Sequence, residues 1–282
     1  MAHYLETSYD INEKETVSVI DELSLWSAPF GLKLLEKINY KKNITALDIG
    51  SGLGFPLLEV AMRLGSSSKL YGIDPWEAAV QRIKSKITVY GISNTEIVNG
   101  VAEKIPLPDN SVDLIFSNNG LNNVNNLKKS IGEISRVSKT GSQLVFTFNT
   151  DGTMIEFYSV MEAVLRERNL LNEIEALKKH IYNKRKPVDE YRFLLEENGF
   201  AVKEIFQDEF NLLYADGTTM LNHFLITLAF IESWKEFVPK ERQKEIFSEV
   251  EKQLNKIAES DGMFKLTIPF VLIDSEKIRN NN

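Results

Sequence analysis

Ala46-Leu47-Asp48-Ile49-Gly50-Ser51-Gly52-Leu53-Gly54-Phe55-Pro56 is the stretch that decides the fold. A short apolar run, Ile44 to Ile49, feeds three glycines and then a helical pattern from Pro56 to about Leu64, closed by Gly65. Proline at a first helical position needs no N–H partner, and glycine suits the C-terminal turn. A strand-to-helix turn of this kind is where open α/β sheets bind ligands. Glycines there admit positive φ and let the backbone approach a ligand with no Cβ in the way. Taken alone, three glycines can also be a tight turn and nothing more.

Outward from this turn the alternation continues. A second strand, Lys69 to Ile73, leads into a helix from about Trp76 to Tyr90, closed by Gly91. Glu96 to Asn99 is a third strand and Val112 to Ser117 a fourth, followed by a helix near Asn126 to Val137. Ser142 to Phe148 is a fifth, an unbroken β-rich run of the kind found in a sheet centre. Strands alternating with helices predict a doubly wound α/β fold with a mostly parallel sheet. Past Asn149, residues 153–183 read as helical, Val188 to Asn198 as a helix ending at Gly199, and Phe200 to Phe206 as a sixth strand. Residues 218–259 are helical with a break at Pro239, and Leu266 to Ile273 is a seventh strand. If the last two strands pair, the blocks 153–183 and 218–259 form a helical cap over one sheet edge. The expected segments are an N-terminal helical segment or lid (1–44), a Rossmann-like core (45–150) and a helical cap segment (151–186). A core helix and strand (187–217), a helical insertion (218–260) and a last core strand with tail (261–282) follow.

Composition narrows the partners. With 43% hydrophobic and 26% charged residues the chain is an ordinary globular sequence. Its net charge of −7 supplies no global positive field for a phosphate backbone, so nucleic acid is an unlikely partner. The one dense basic run is Lys178, Lys179, His180, Lys184, Arg185 and Lys186. It is either a solvated helix end, where cations suit the dipole, or a landing strip for RNA or another anion. There is no cysteine, which excludes disulfides, thiolate metal sites and cysteine nucleophiles, and no metal is expected. The polar start MAHYLETSYDINEKE has no apolar signal core, and no apolar stretch is long enough to span a bilayer. The expected location is therefore the cytoplasm, without membrane insertion. The oligomeric state is left open.

Three details of the glycine turn discriminate among ligands. In the dinucleotide fingerprint the third glycine follows the second after two spacer residues, but here that position is Phe55 and the glycine is Gly54. Asp48, two positions before Gly50, would repel a pyrophosphate but suits a ligand carrying an ammonium group. Asp74, at the end of the second strand, stands where a carboxylate accepts bonds from both ribose hydroxyls. Together with Gly100-Val101-Ala102-Glu103-Lys104-Ile105-Pro106-Leu107-Pro108 and Ser111-Val112-Asp113-Leu114-Ile115-Phe116-Ser117, these residues resemble the class I S-adenosylmethionine-dependent methyltransferases. The order is similar to that of small-molecule methyltransferases with a "GDAExLPF…SFD" stretch, and the likeness covers roughly residues 44–150.

The resemblance implies a Rossmann-like methyltransferase fold with a seven-stranded sheet and S-adenosyl-L-methionine as cofactor. It implies that Asp48 helps hold the methionine ammonium, mostly through water or backbone, and that Gly50, Ser51 and Gly52 meet the methionine part. Asp74 is implied to bind the ribose, Pro75 and Trp76 to lie against the adenine, and Ala102 to meet the adenine edge through its N–H. Ser117 is implied to approach the methionine moiety. The family's usual acid before that alanine is Val101 here, which is expected either to weaken recognition of the adenine amino group or to shift it to a neighbour such as Glu103. For Trp76, packing of its helix on the sheet is the alternative, and Asp113 is expected to stabilise its strand only.

The acceptor leaves a fainter trace, because transfer from a sulfonium needs alignment and water exclusion more than covalent help. A base is needed only if the acceptor must lose a proton. The loop Asn118-Asn119-Gly120-Leu121-Asn122-Asn123-Val124 lacks the Asn/Asp-Pro-Pro-aromatic tetrapeptide of amino-group methylators. The missing cysteines exclude C5-pyrimidine and arsenic methylation through thiols. Asn118 and Asn122 are candidates to orient a polar acceptor, or they belong to a turn-prone loop. His223 is the candidate base, or a hydrogen-bonded helix residue. Tyr9, Trp26 and Phe30 of the N-terminal segment, and Met154, Phe157, Tyr158 and Met161 on one helical face, are candidate pocket residues or core. The expected function is methyl transfer to a small-molecule substrate. The alternatives are an RNA or protein methyltransferase and a non-catalytic S-adenosylmethionine-binding module.

Overall fold

The computed structural model describes residues 3–22 and 25–279; Leu23 and Ser24 of the aromatic N-terminal stretch lie outside them. The strands are β1 (Thr45–Ile49), β2 (Lys69–Asp74), β3 (Thr95–Asn99), β4 (Val112–Asn118), β5 (Ser138–Asn149), β6 (Phe200–Tyr214) and β7 (Phe264–Lys277). They form one sheet in the order β3-β2-β1-β4-β5-β7-β6. β1 to β5 run parallel to one another and β7 runs antiparallel to β5. This is the doubly wound, mostly parallel seven-stranded sheet that the alternation predicts.

The helices of the first half are α1 (Lys14–Glu22), α2 (Ser27–Lys37), α3 (Leu57–Leu64), α4 (Glu77–Tyr90) and α5 (Leu127–Val137). After them come α6 (Ile155–Glu167), α7 (Leu171–Lys184), α8 (Val188–Glu197), α9 (Gly217–Leu221), α10 (Phe224–Ala229), α11 (Ile231–Lys235) and α12 (Gln243–Asp261). Two starts differ by one residue from expectation. Pro56 and Trp76 each stand just outside their helix as its N-cap, Trp76 with extended backbone. Both C-terminal stops are glycines at positive φ, Gly65 and Gly91.

Strand alternation places the core on both faces of the sheet. Ala46, Leu70, Leu114, Phe116 and Val145 point to one face and pack with Leu34 and Leu35 of α2 and Leu57, Val60, Ala61 and Leu64 of α3. Leu47, Ile49, Ile115, Leu144, Phe146 and Phe148 point to the other, against Ile131, Ile134 and Val137 of α5 and Tyr191, Leu194 and Leu195 of α8. The rings of Phe148 and Tyr191 stack at 4.1 Å. Both layers are apolar because the parallel strands between them are buried on two sides.

The chain divides into two compact units. One is made of Ile11–Asn149, Lys186–Asp208 and the chain from Phe270 onward, and contains β1 to β5 with α1 to α5 and α8. The other takes the residues up to Asp10, Thr150–Arg185 and Glu209–Pro269. The first boundary thus falls after Asp10, and the stretch 1–44 is split: α1 and α2 belong to the sheet unit. The two helical blocks expected as a cap share the second unit. Its core includes Phe157 stacked on Trp234 at 3.7 Å, with Tyr158 edge-on to the same indole. Among the described residues, no helix is long and apolar enough to cross a membrane, and no group of three His, Cys, Asp or Glu could hold a metal.

Candidate functional site

The sheet order reverses between β1 and β4, and a crevice at the carboxyl ends of the strands is expected there. The glycine turn lies at its floor. Gly50 has φ +75, and its N–H and that of Ser51 donate to the Ile73 carbonyl at 2.9 and 3.2 Å. A Cβ on Gly50 would stand 2.9 Å from the Gly120 α carbon, and one on Gly120 would stand 2.4 Å from the Ile49 carbonyl oxygen. The β1 and β4 loops therefore meet backbone to backbone, which only glycine on both sides permits.

Asp74 is nearly buried and already oriented. Its Oδ2 accepts from the Gly52 N–H and its Oδ1 from the Trp76 N–H, both at 2.8 Å. An ionised carboxylate has about four lone-pair sites, so each oxygen keeps acceptor capacity. Asp48 is different. It is 0% exposed, and both its oxygens, like the Ser51 hydroxyl, lack a hydrogen-bond partner. Burial, and then the nearby Asp74 charge, push the Asp48 carboxyl well above its ordinary range.

That shift has a direction for stability. The folded pKa is raised, so the Asp48 contribution is complete below the unfolded value and is lost as pH rises through the folded one. Asp48→Asn keeps the shape without the charge. The ligand-free variant is expected to gain stability over wild type as pH rises above the ordinary carboxylate range. Thermal melts at increasing pH check it; a deficit that grows with pH contradicts it.

A cavity of about 200 Å³ opens beside these groups. Gly50, Asp74, Pro75, Val101, Ala102 and Glu103, six of the expected cofactor residues, line it. Asp48, Ser51 and Gly52 are not part of the lining. Trp76 is not part of the lining; its indole donates to the Ile11 carbonyl at 3.1 Å and ties the start of the sheet unit to α4. Ser117 does not reach the cavity either: its hydroxyl donates to the Ile49 carbonyl at 2.7 Å and holds β4 to the end of β1. Glu103 is spent in part on the Asn126 N–H at 2.9 Å, which fixes the turn before α5. Val101 is 38% exposed, a hydrophobic side chain left open at the rim.

Sequence reasoning assigned the loop after β4 to the acceptor, whereas Gly120, Asn123, Val124 and Asn125 wall the cavity itself. The available signal was Gly120, a glycine at the end of the strand next to Gly50. Asn118, by contrast, is committed to the fold: its amide donates to the Ser27 carbonyl at 2.9 Å and accepts from Thr147. Asn122 is held between Asn119 and the Tyr191 hydroxyl. Trp26 meets Phe30 edge-on, and the buried Phe30 meets Phe270 in turn, so these rings pack α2.

The remaining acceptor candidates belong to the second unit. Tyr9 packs edge-on against Phe224 and shares a hydrogen bond with Thr227. His223 caps α10, its Nδ1 accepting from the Leu225 N–H at 3.3 Å. Met154, Phe157, Tyr158 and Met161 are all buried, the core alternative for that stripe. Met154 also stands at φ 58, uncommon for a residue other than glycine or asparagine.

A parallel sheet with an antiparallel seventh strand, a glycine turn at the switch point and a carboxylate at the end of β2 define an α/β protein of the S-adenosylmethionine-dependent methyltransferase class. The chain belongs to the methyltransferase-domain family, whose model matches residues 40–199. Over 124 residues it is 29% identical to the demethylmenaquinone methyltransferase of Geobacillus stearothermophilus, covering 44% of this chain and 53% of that protein. The chain spans about half the length of the curated relatives it matches. Among solved structures, a putative methyltransferase from Bacillus halodurans superposes with a TM-score of 0.58 at 20% identity, covering 88% of this chain and 99% of that one. Geranyl diphosphate methyltransferase in complex with S-adenosylmethionine gives 0.57 at 15% identity, over 98% and 94% of the two chains. These structures share the fold.

Proposed function

We propose that the cavity at the ends of β1, β2 and β4 holds S-adenosylmethionine and that the chain transfers its methyl group to a small, largely apolar acceptor. The observation that carries the reading is the buried pair Asp48 and Asp74 under the glycine turn, with Asp48 lacking any partner. A cationic ligand group nearby would offset the repulsion between them and favour the ionised form of Asp48. Asp74 would take the ribose hydroxyls with its remaining lone pairs, and Pro75, Val101 and Ala102 would lie along the adenine. Gly50 and Gly120 would bring backbone close to the methionine part. When bound, the cofactor supplies a methyl group on a sulfonium, a carbon already activated for displacement.

The chain's own residues then need to place the acceptor and keep water out. No general base is assigned, since His223 is occupied as a helix cap. A small acceptor fits the acidic balance of the chain and the naming of its relatives after demethylmenaquinone and geranyl diphosphate. The test is a transfer assay with methyl-labelled S-adenosylmethionine, offering reduced demethylmenaquinone and a set of small phenols in one arm and bulk RNA and protein in the other. Label in the solvent-extractable fraction is expected. Label confined to acid-precipitable RNA or protein would overturn the small-acceptor reading.

A further inference from the structure

The basic run at the end of α7 does not form one solvated face. Lys178, Lys179 and Lys184 are exposed, whereas His180 is half-buried and Arg185 is only 6% exposed. Among the described residues, no carboxylate lies within ion-pairing distance of Arg185. Its Nη1 reaches the Tyr158 hydroxyl at 3.4 Å, and the guanidinium carbon sits 5.4 Å from the centre of the same ring. The Tyr158 oxygen also accepts from the Trp234 indole at 3.0 Å and lies 3.3 Å from His180 Nε2. The polar partner of the guanidinium is thus a neutral, aromatic side chain.

A guanidinium carries five N–H donors and cannot shed its charge. The Tyr158 ring face and the carbonyl end of α7 offset part of the charge, one long bond goes to Tyr158, and the other donors reach no protein acceptor; none of them is a fully buried atom without a partner, so they open to solvent. A buried charge of this kind is retained at a cost to stability. Burial and the adjacent Arg185 also lower the His180 pKa to about 4, so the imidazole is neutral at physiological pH and competes for no anion. The planar fork of Arg185 matches one complement: a group with two oxygens sharing a negative charge.

We propose that Arg185 anchors an anion-binding site within the second unit, taking the carboxylate or phosphate of a small organic anion in bidentate fashion, with Tyr158 as the second polar contact. The titration is run without cofactor. The chain is titrated by calorimetry with benzoate in one arm and inorganic pyrophosphate in the other, at low and at raised sodium chloride. Millimolar or tighter binding in at least one arm, weakened by salt, is expected, and the tighter arm identifies the oxyanion. Arg185→Met is expected to weaken it 10-fold or more, about 1.4 kcal/mol, while melting at the same or a higher temperature than wild type. If that variant does not fold, Arg185→Lys, which keeps the charge without the fork, is expected to lose at least 5-fold. Absence of binding by the wild type in both arms would overturn the proposal, as would equal binding by wild type and the folded variant. S-adenosylmethionine binding is expected to be the same in all three proteins.

Discussion

Gly120→Ala is expected to lower the unfolding free energy by about 3 kcal/mol and to abolish S-adenosylmethionine binding. The backbone at Gly120 has φ −71, which alanine adopts without strain, so the penalty is purely one of space. Its Cβ would lie 2.4 Å from the Ile49 carbonyl oxygen, 2.8 Å from the Ser117 hydroxyl and 3.1 Å from the Gly50 α carbon. Two of these are backbone atoms at the end of β1, which cannot move without shifting the whole glycine turn. Gly52→Ala is the control. At φ +49 it is strained by about 1 kcal/mol, but its Cβ meets nothing within 4 Å. Urea denaturation of the two variants measures the difference directly. Equal losses would mean that the approach of the β1 and β4 loops is not what those glycines are for.

Asp74→Ala is expected to weaken S-adenosylmethionine binding at least 10-fold, about 1.4 kcal/mol or more. Two effects add. The ribose loses its acceptor, and the Gly52 and Trp76 N–H groups lose the oxygens that hold the turn and the start of α4 in place. Asp74→Asn separates them, because the amide oxygen can still serve one of the two N–H groups while the amide nitrogen cannot accept. Its affinity is expected to fall between wild type and Asp74→Ala. Calorimetric titration of the three proteins checks the ranking, and an unchanged affinity in Asp74→Ala would remove Asp74 from the site.

The features legible in sequence are those with a local physical cause. The strands β1, β4 and β5 were visible because two-sided burial makes them continuous apolar runs, and the helix stops because Gly65 and Gly91 need positive φ. The end of β6 was not. The strand expected to end at Phe206 continues through the polar residues Gln207, Asp208 and Glu209 to Tyr214. They are exposed on the outermost strand of the sheet, where charge discourages pairing with another edge. Side-chain destinations were less legible still. Ser117 and Asn118 have the right chemistry at the right end of β4, yet their polar atoms are consumed by Ile49, Ser27 and Thr147. Buried polar groups must find partners, and which partner is nearest depends on tertiary approach. The same holds for Arg185, an ordinary member of a basic run until its side chain turns inward.

The most direct test of the account is calorimetric titration of the wild-type chain with S-adenosylmethionine and S-adenosylhomocysteine. Micromolar, one-to-one binding of both at the cavity lined by Gly50, Asp74 and Gly120 is expected. No detectable heat or displacement with either ligand would contradict it, and would leave a methyltransferase fold whose cleft serves some other ligand.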